Sequence, residues 1–98
     1  MILIRDIFNL RFGKAKDAKS LLEEGRELNK KYGFVNSRAL TDLTGESYRL
    51  ILESEWKGLA DWENTMKKAS ADDAWQKWYQ KFVPLVDSAS REIMSIVG

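Results

Sequence analysis

The 98-residue chain contains no cysteine and no histidine, and proline occurs once. Without cysteine there is no disulfide framework, no thiolate nucleophile and no zinc-ribbon spacing, a composition that suits a reducing compartment. The lack of histidine excludes a Ser-His-Asp triad, a His-ligated haem, a facial triad of two His and a carboxylate, and an imidazole base. Chemistry would fall to carboxylates, Tyr, Lys, Trp or a bound cofactor. A charge bias is missing too: 16 Lys plus Arg against 15 Asp plus Glu leave a net charge of +1. Nothing in that balance calls for a nucleic-acid partner. No run approaches the roughly 18 apolar residues of a membrane span, and Arg5, Asp6 and Arg11 interrupt an apolar start that would otherwise resemble a signal peptide. The expectation is a cytoplasmic protein with no membrane partner. Its length suits one domain over residues 1–98, burying about two thirds of its unfolded surface in one modest core.

Residues 2–12 alternate as a strand. Ile2, Ile4, Asp6, Phe8, Leu10 and Phe12 share one face, and Leu3, Arg5, Ile7, Asn9 and Arg11 the other. From Lys14 to Tyr32, Ala15, Ala18, Leu21, Leu22 and Leu28 recur at helical spacing, and Gly33 stops the helix. Gly25 lies near that stripe, where a missing side chain would let the helix approach the sheet. Residues 34–43 and 48–56 read as a hairpin around Thr44, Gly45, Glu46 and Ser47, with Tyr48, Leu50, Leu52 and Trp56 on the face that can lie under helices. Gly58 opens a second helical region carrying Leu59, Trp62 and Met66, and Ser70-Ala-Asp-Asp reads as a capping box starting a new helix with Trp75, Trp78, Tyr79 and Phe82. Pro84 disfavours helical geometry at Val83, and a strand over about Ser88 to Val97 closes the sheet.

This order, with right-handed crossovers sharing a hairpin, predicts an α+β fold: a ferredoxin-like β-α-β-β-α-β sandwich with a four-stranded antiparallel sheet and helices on one face. The other sheet face has to meet water or a partner.

Asp6 is the one charged residue on an otherwise apolar strand face. A carboxylate in apolar surroundings has its charged form disfavoured, which makes it a usable proton carrier near neutral pH unless a cation or backbone amides receive it. Trp62, Trp75, Trp78 and Tyr79 have helical spacing and read either as core or as walls of a pocket for a small, flat, apolar ligand. Glu53 and Glu55 share a strand face, but no further oxygen-rich ligand set accompanies them, so no metal site is expected.

Three segments carry a family likeness: Phe12-Gly13-Lys14-Ala15-Lys16, Tyr48-Arg49-Leu50-Ile51-Leu52-Glu53-Ser54, and Leu59-Ala60-Asp61-Trp62-Glu63. With Val83-Pro84-Leu85-Val86-Asp87-Ser88 before Arg91-Glu92-Ile93, the chain resembles the dimeric α+β barrel superfamily, in particular its antibiotic-biosynthesis-monooxygenase and NIPSNAP-like domains. The resemblance implies a homodimer pairing two sheets back to back, with Arg5, Ile7, Asn9, Arg11, Arg49, Ile51, Glu53 and Glu55 at the interface. The alternative is a solvated face in a monomer. The superfamily's monooxygenases place an Asn on the first strand, a Trp on the second helix and a His or Tyr on the next, positions that fall on Asp6, Trp62 and Tyr79. Asp stands where those have Asn, and without histidine a His-ligated haem is ruled out, so no cofactor is expected. The functional expectation is a homodimeric module binding a small apolar or aromatic molecule between sheet and helices, with Trp75 and Trp78 lining the pocket. The alternative is a cofactor-independent monooxygenase or isomerase for a phenolic or polycyclic substrate, with Asp6 as proton acceptor, Tyr79 as donor and Trp62 as stacking wall.

Overall fold

Alternation along the first strand sets the middle of the sheet, because each apolar side chain on its inner face needs a roof that only the helices can supply. The computed structural model describes residues 1–46 and 48–98, so Ser47 of the expected turn lies outside it. Its elements are β1 (Ile2–Leu10), α1 (Ala15–Lys31), β2 (Val35–Thr41), β3 (Arg49–Trp56), α2 (Leu59–Ser70), α3 (Asp73–Phe82), a 3-10 turn over Val83–Leu85, and β4 (Val86–Ser95). The sheet runs β2-β3-β1-β4, and every neighbouring pair is antiparallel. This is the ferredoxin-like α+β fold that the element order predicts.

The inner face is the predicted one. Leu10, Ala18, Leu21, Leu50 and Phe82 form the buried core, with Phe8, Leu52 and Trp78 packed against it. Ile4 and Trp56 are also buried on this side.

Three local expectations about element ends are corrected. The first strand ends at Leu10, and Phe12 is 92% exposed. The chain turns there, with Arg11 N–H donating to Leu85 O, Lys14 N–H to Arg11 O, and Gly13 at φ +85°. The helix after α2 starts on Asp72, whose side chain accepts from Ala74 N–H at 2.8 Å. Ser70 instead ends α2, its hydroxyl donating to Lys67 O. Val83 is helical (φ −51°, ψ −46°) despite the proline after it, since the short 3-10 turn leaves the missing Pro84 N–H without a required acceptor.

Gly25 admits α3 rather than the sheet. A Cβ there would lie 3.0 Å from the Trp78 ring, which is pinned by its Nε1–H donating to Leu21 O at 2.7 Å and by stacking on Phe82. Gly25→Ala gains about 1 kcal/mol of helix propensity but overpacks a ring that cannot retreat, a fault costing about 1–3 kcal/mol. The net expectation is a loss of about 1 kcal/mol, read as a lower urea midpoint with unchanged slope. A second tether joins the same helices. Lys31 Nζ lies 2.7 Å from the Asp72 carboxylate, and the Tyr32 hydroxyl donates to it. The bonds from Lys31, Tyr32 and Ala74 N–H hold the Asp72 carboxyl well below the usual carboxylate range.

Candidate functional site

Asp6 does not sit in apolar surroundings. Its cross-strand neighbour on β4 is Arg91, whose Nε lies 2.5 Å from the Asp6 carboxylate. The Arg91 guanidinium in turn lies over the Trp62 ring of α2, 4.8 Å from the centroid, within the range of a cation–π contact. Strand and helix thus bring Asp6 and Trp62 together through an arginine that sequence reasoning had not placed between them.

The remaining aromatics serve other contacts. Tyr79 is exposed and stacks on Trp75 at 5.0 Å. Trp78 is half-buried against the core, bonded to Leu21 O and stacked on Phe82 at 5.3 Å. Its ring lies against α1 at Gly25.

The opposite sheet face carries side chains in cross-strand rows. One row reads Leu40, Ile51, Ile7, Ser90 across β2, β3, β1 and β4. The next reads Arg38, Glu53, Arg5, Glu92 and is bonded throughout: Arg38 Nε and Arg5 Nε each lie 2.7 Å from Glu53, and Arg5 Nη1 lies 3.1 Å from Glu92. Glu53 is 3% exposed. Burial pushes its carboxyl up, but the bonds and charges of Arg5 and Arg38 outweigh that and hold it below the ordinary value. Bonds to Glu53 and Glu92 raise Arg5 correspondingly. Flanking rows place Leu3 between Glu55 and Met94, and Asn9 between Arg49 and Ser88. Of the interface residues implied by the resemblance, Arg11 lies past the end of β1, 3.6 Å from Asp87, and Arg49 is held by Asp42 at 3.1 Å.

Sequence reasoning missed a groove where four element ends meet, those of β1, α1, β2 and β3. It encloses about 270 Å³ between the start of α1 and the β2–β3 end of the sheet, lined by Leu10, Ala18, Lys19, Thr41, Tyr48 and Leu50, among others. Its two sides come from segments more than 20 positions apart, so no local pattern announced it. A more open hollow along α2 is lined by Trp62 and Met66, among others. Among the described residues no cluster of acidic side chains could hold a metal ion, and no helix is long and apolar enough to cross a membrane.

No family model and no curated protein sequence matches the chain. Solved structures do. A NIPSNAP family protein of unknown function from Agrobacterium tumefaciens superposes with a TM-score of 0.91 at 19% identity, over 99% of this chain and 88% of that one. An uncharacterized NIPSNAP domain protein from Burkholderia xenovorans gives 0.88 at 15%, over 99% and 95%. An antibiotic biosynthesis monooxygenase gives 0.77 at 11%, over the whole of both chains. The structural neighbours of this chain are thus NIPSNAP family and antibiotic-biosynthesis-monooxygenase proteins, and at these identities what it shares with them is the ferredoxin-like fold.

Proposed function

We propose that this domain works as a homodimer, joined through the open sheet face, and binds a small, largely apolar molecule between sheet and helices. The carrying observation is the composition of that face: a row with Leu40, Ile51 and Ile7 beside a fully bonded row of alternating charge. Four strands of seven to ten residues make a face of roughly 600 Å² in projection at about 4.8 Å per strand and 3.3 Å per residue. That is of the order of the roughly 800 Å² of accessible surface each partner contributes to a stable complex. The charge order also suits self-association. A twofold axis parallel to the strands sets Arg38 opposite the partner's Glu92 and Glu53 opposite the partner's Arg5, whereas an axis across them would oppose like charges.

The enzymatic alternative needs Asp6 available as a proton acceptor and Tyr79 beside it. The Asp6 carboxylate is held by Arg91, and the Tyr79 ring is engaged with Trp75, so the geometry supports the binding reading better. Sedimentation at micromolar concentration should show a species of twice the 11.3 kDa chain mass. Ile7→Lys, which puts a second cation beside Arg5 in the centre of the face, should return it to a monomer with native helix content. A wild type that sediments as a monomer at these concentrations sinks the dimer.

A further inference from the structure

The groove at the start of α1 has a floor and a rim of different chemistry. Leu10, Ala18 and Leu50 form the floor and are buried parts of the core. Only an apolar body rests well on them. At about 270 Å³ the space lies just below the usual range for drug-sized ligands, so that body is small.

The rim decides the charge. The Asp42 side chain is 7% exposed, and Arg49 engages both of its carboxylate oxygens, Nε lying 3.2 Å from each. The pair is neutral as a unit. Lys19 also lines the groove, and among the described residues no ion pair engages its ammonium. Among the lining residues, the Lys19 ammonium is thus the charge left outside the Asp42–Arg49 pair, while Glu46 acts on Arg49 from beyond the lining. Tyr48 forms a wall. Its hydroxyl oxygen accepts from Gly13 N–H at 2.9 Å, which leaves the hydroxyl proton for an acceptor. Ala15 at the mouth begins α1, whose N-cap, Lys14, gives no side-chain bond to the first-turn amides. The helix dipole there favours an anion, partly offset by Asp17 in the same turn.

The geometry points to a binding site for a small apolar monocarboxylate, with its hydrocarbon or aromatic body on Leu10, Ala18 and Leu50 and its carboxylate at Lys19 and the Tyr48 hydroxyl. This rests on the binding reading above and gives it a location and a ligand class. The location is not the one that the aromatic residues suggested, since Asp6, Trp62 and Arg91 are engaged with one another.

The test is titration of the ¹⁵N-labelled full chain with sodium phenylacetate and, in parallel, with phenylacetamide, its neutral counterpart. Phenylacetate should give saturable shifts at the amides of Ala15, Lys19, Thr41 and Leu50, and bind about tenfold more tightly than the amide. Lys19→Gln should remove that difference. Ala15→Leu should fill the mouth and abolish binding while the rest of the spectrum keeps its native dispersion. Equal affinity for the two probes overturns the ligand class. Shifts centred on Trp62 and Arg91 overturn the groove but leave the domain a binding module. If neither probe gives saturable shifts, the site is overturned, and sedimentation still judges the dimer on its own.

Discussion

Glu53→Ala is expected to lower stability by about 3 kcal/mol at neutral pH, a large fraction of the roughly 5–15 kcal/mol that holds a domain of this size. The carboxylate is almost wholly buried and takes bonds from two strands. Its removal leaves Arg5 only Glu92, at 3.1 Å, while the largely exposed Arg38 returns to water at little cost. The effect has a definite pH signature. Because the folded Glu53 carboxyl titrates below its unfolded value, its contribution is fully present above about pH 4.3, the unfolded pKa. It disappears as pH falls through the lower, folded value. The gap between wild type and variant in urea unfolding should therefore be widest near pH 7 and shrink below about pH 4. The Asp72 carboxyl, also held low, weakens the wild type in the same acid range, but it is present in both proteins and cancels in the difference. A gap of the same size at pH 7 and pH 3 would remove Glu53 as the hub of the row.

Much of this architecture was legible because it depends on local alternation. The period of two in residues 2–10 and 49–56 told which side the helices cover, and the buried Ile4, Leu50 and Trp56 lie on that side. What escaped depends on partners far along the chain. Asp6 looked anomalous because its partner sits 85 residues away. The β4 alternation of Ala89, Arg91 and Ile93 does put Arg91 on the Asp6 face, yet pairing the two requires a register set by the irregularity at Asn9 and Leu10. The missing side chain at Gly25 announces a close approach, but only the tertiary structure shows that α3, not the sheet, is what approaches. The groove was invisible for a related reason: its floor consists of buried core residues, and only the juxtaposition of α1 with the end of the β2–β3 pair leaves a hollow above them. At Ser70 two possible caps lay two residues apart, and the choice went to Asp72, which Lys31 and Tyr32 engage from α1.

Phe82→Ala should be the most damaging single truncation, costing about 4 kcal/mol. Phe82 is buried where three elements converge. Its ring meets Phe8 of β1 edge-on at 4.9 Å and stacks on Trp78 at 5.3 Å, and it belongs to one cluster with Leu10, Ala18, Leu21 and Leu50. Collapse cannot easily fill the space. Trp78 is fixed by its bond to Leu21 O, Gly25 has no side chain to lean in, and Phe8 is part of the central strand. Phe82→Leu, which keeps most of the buried carbon and loses the ring contacts, should cost about 1.5 kcal/mol. Urea unfolding of the two variants beside wild type measures both. The order is as informative as the size, because a ring that merely covered the sheet would make leucine nearly neutral, whereas a ring that spaces Trp78 from Phe8 makes even leucine loosen α3. Near-ultraviolet dichroism then reports on the packing of Trp78, and its loss in Phe82→Leu with helix content retained is the expected result.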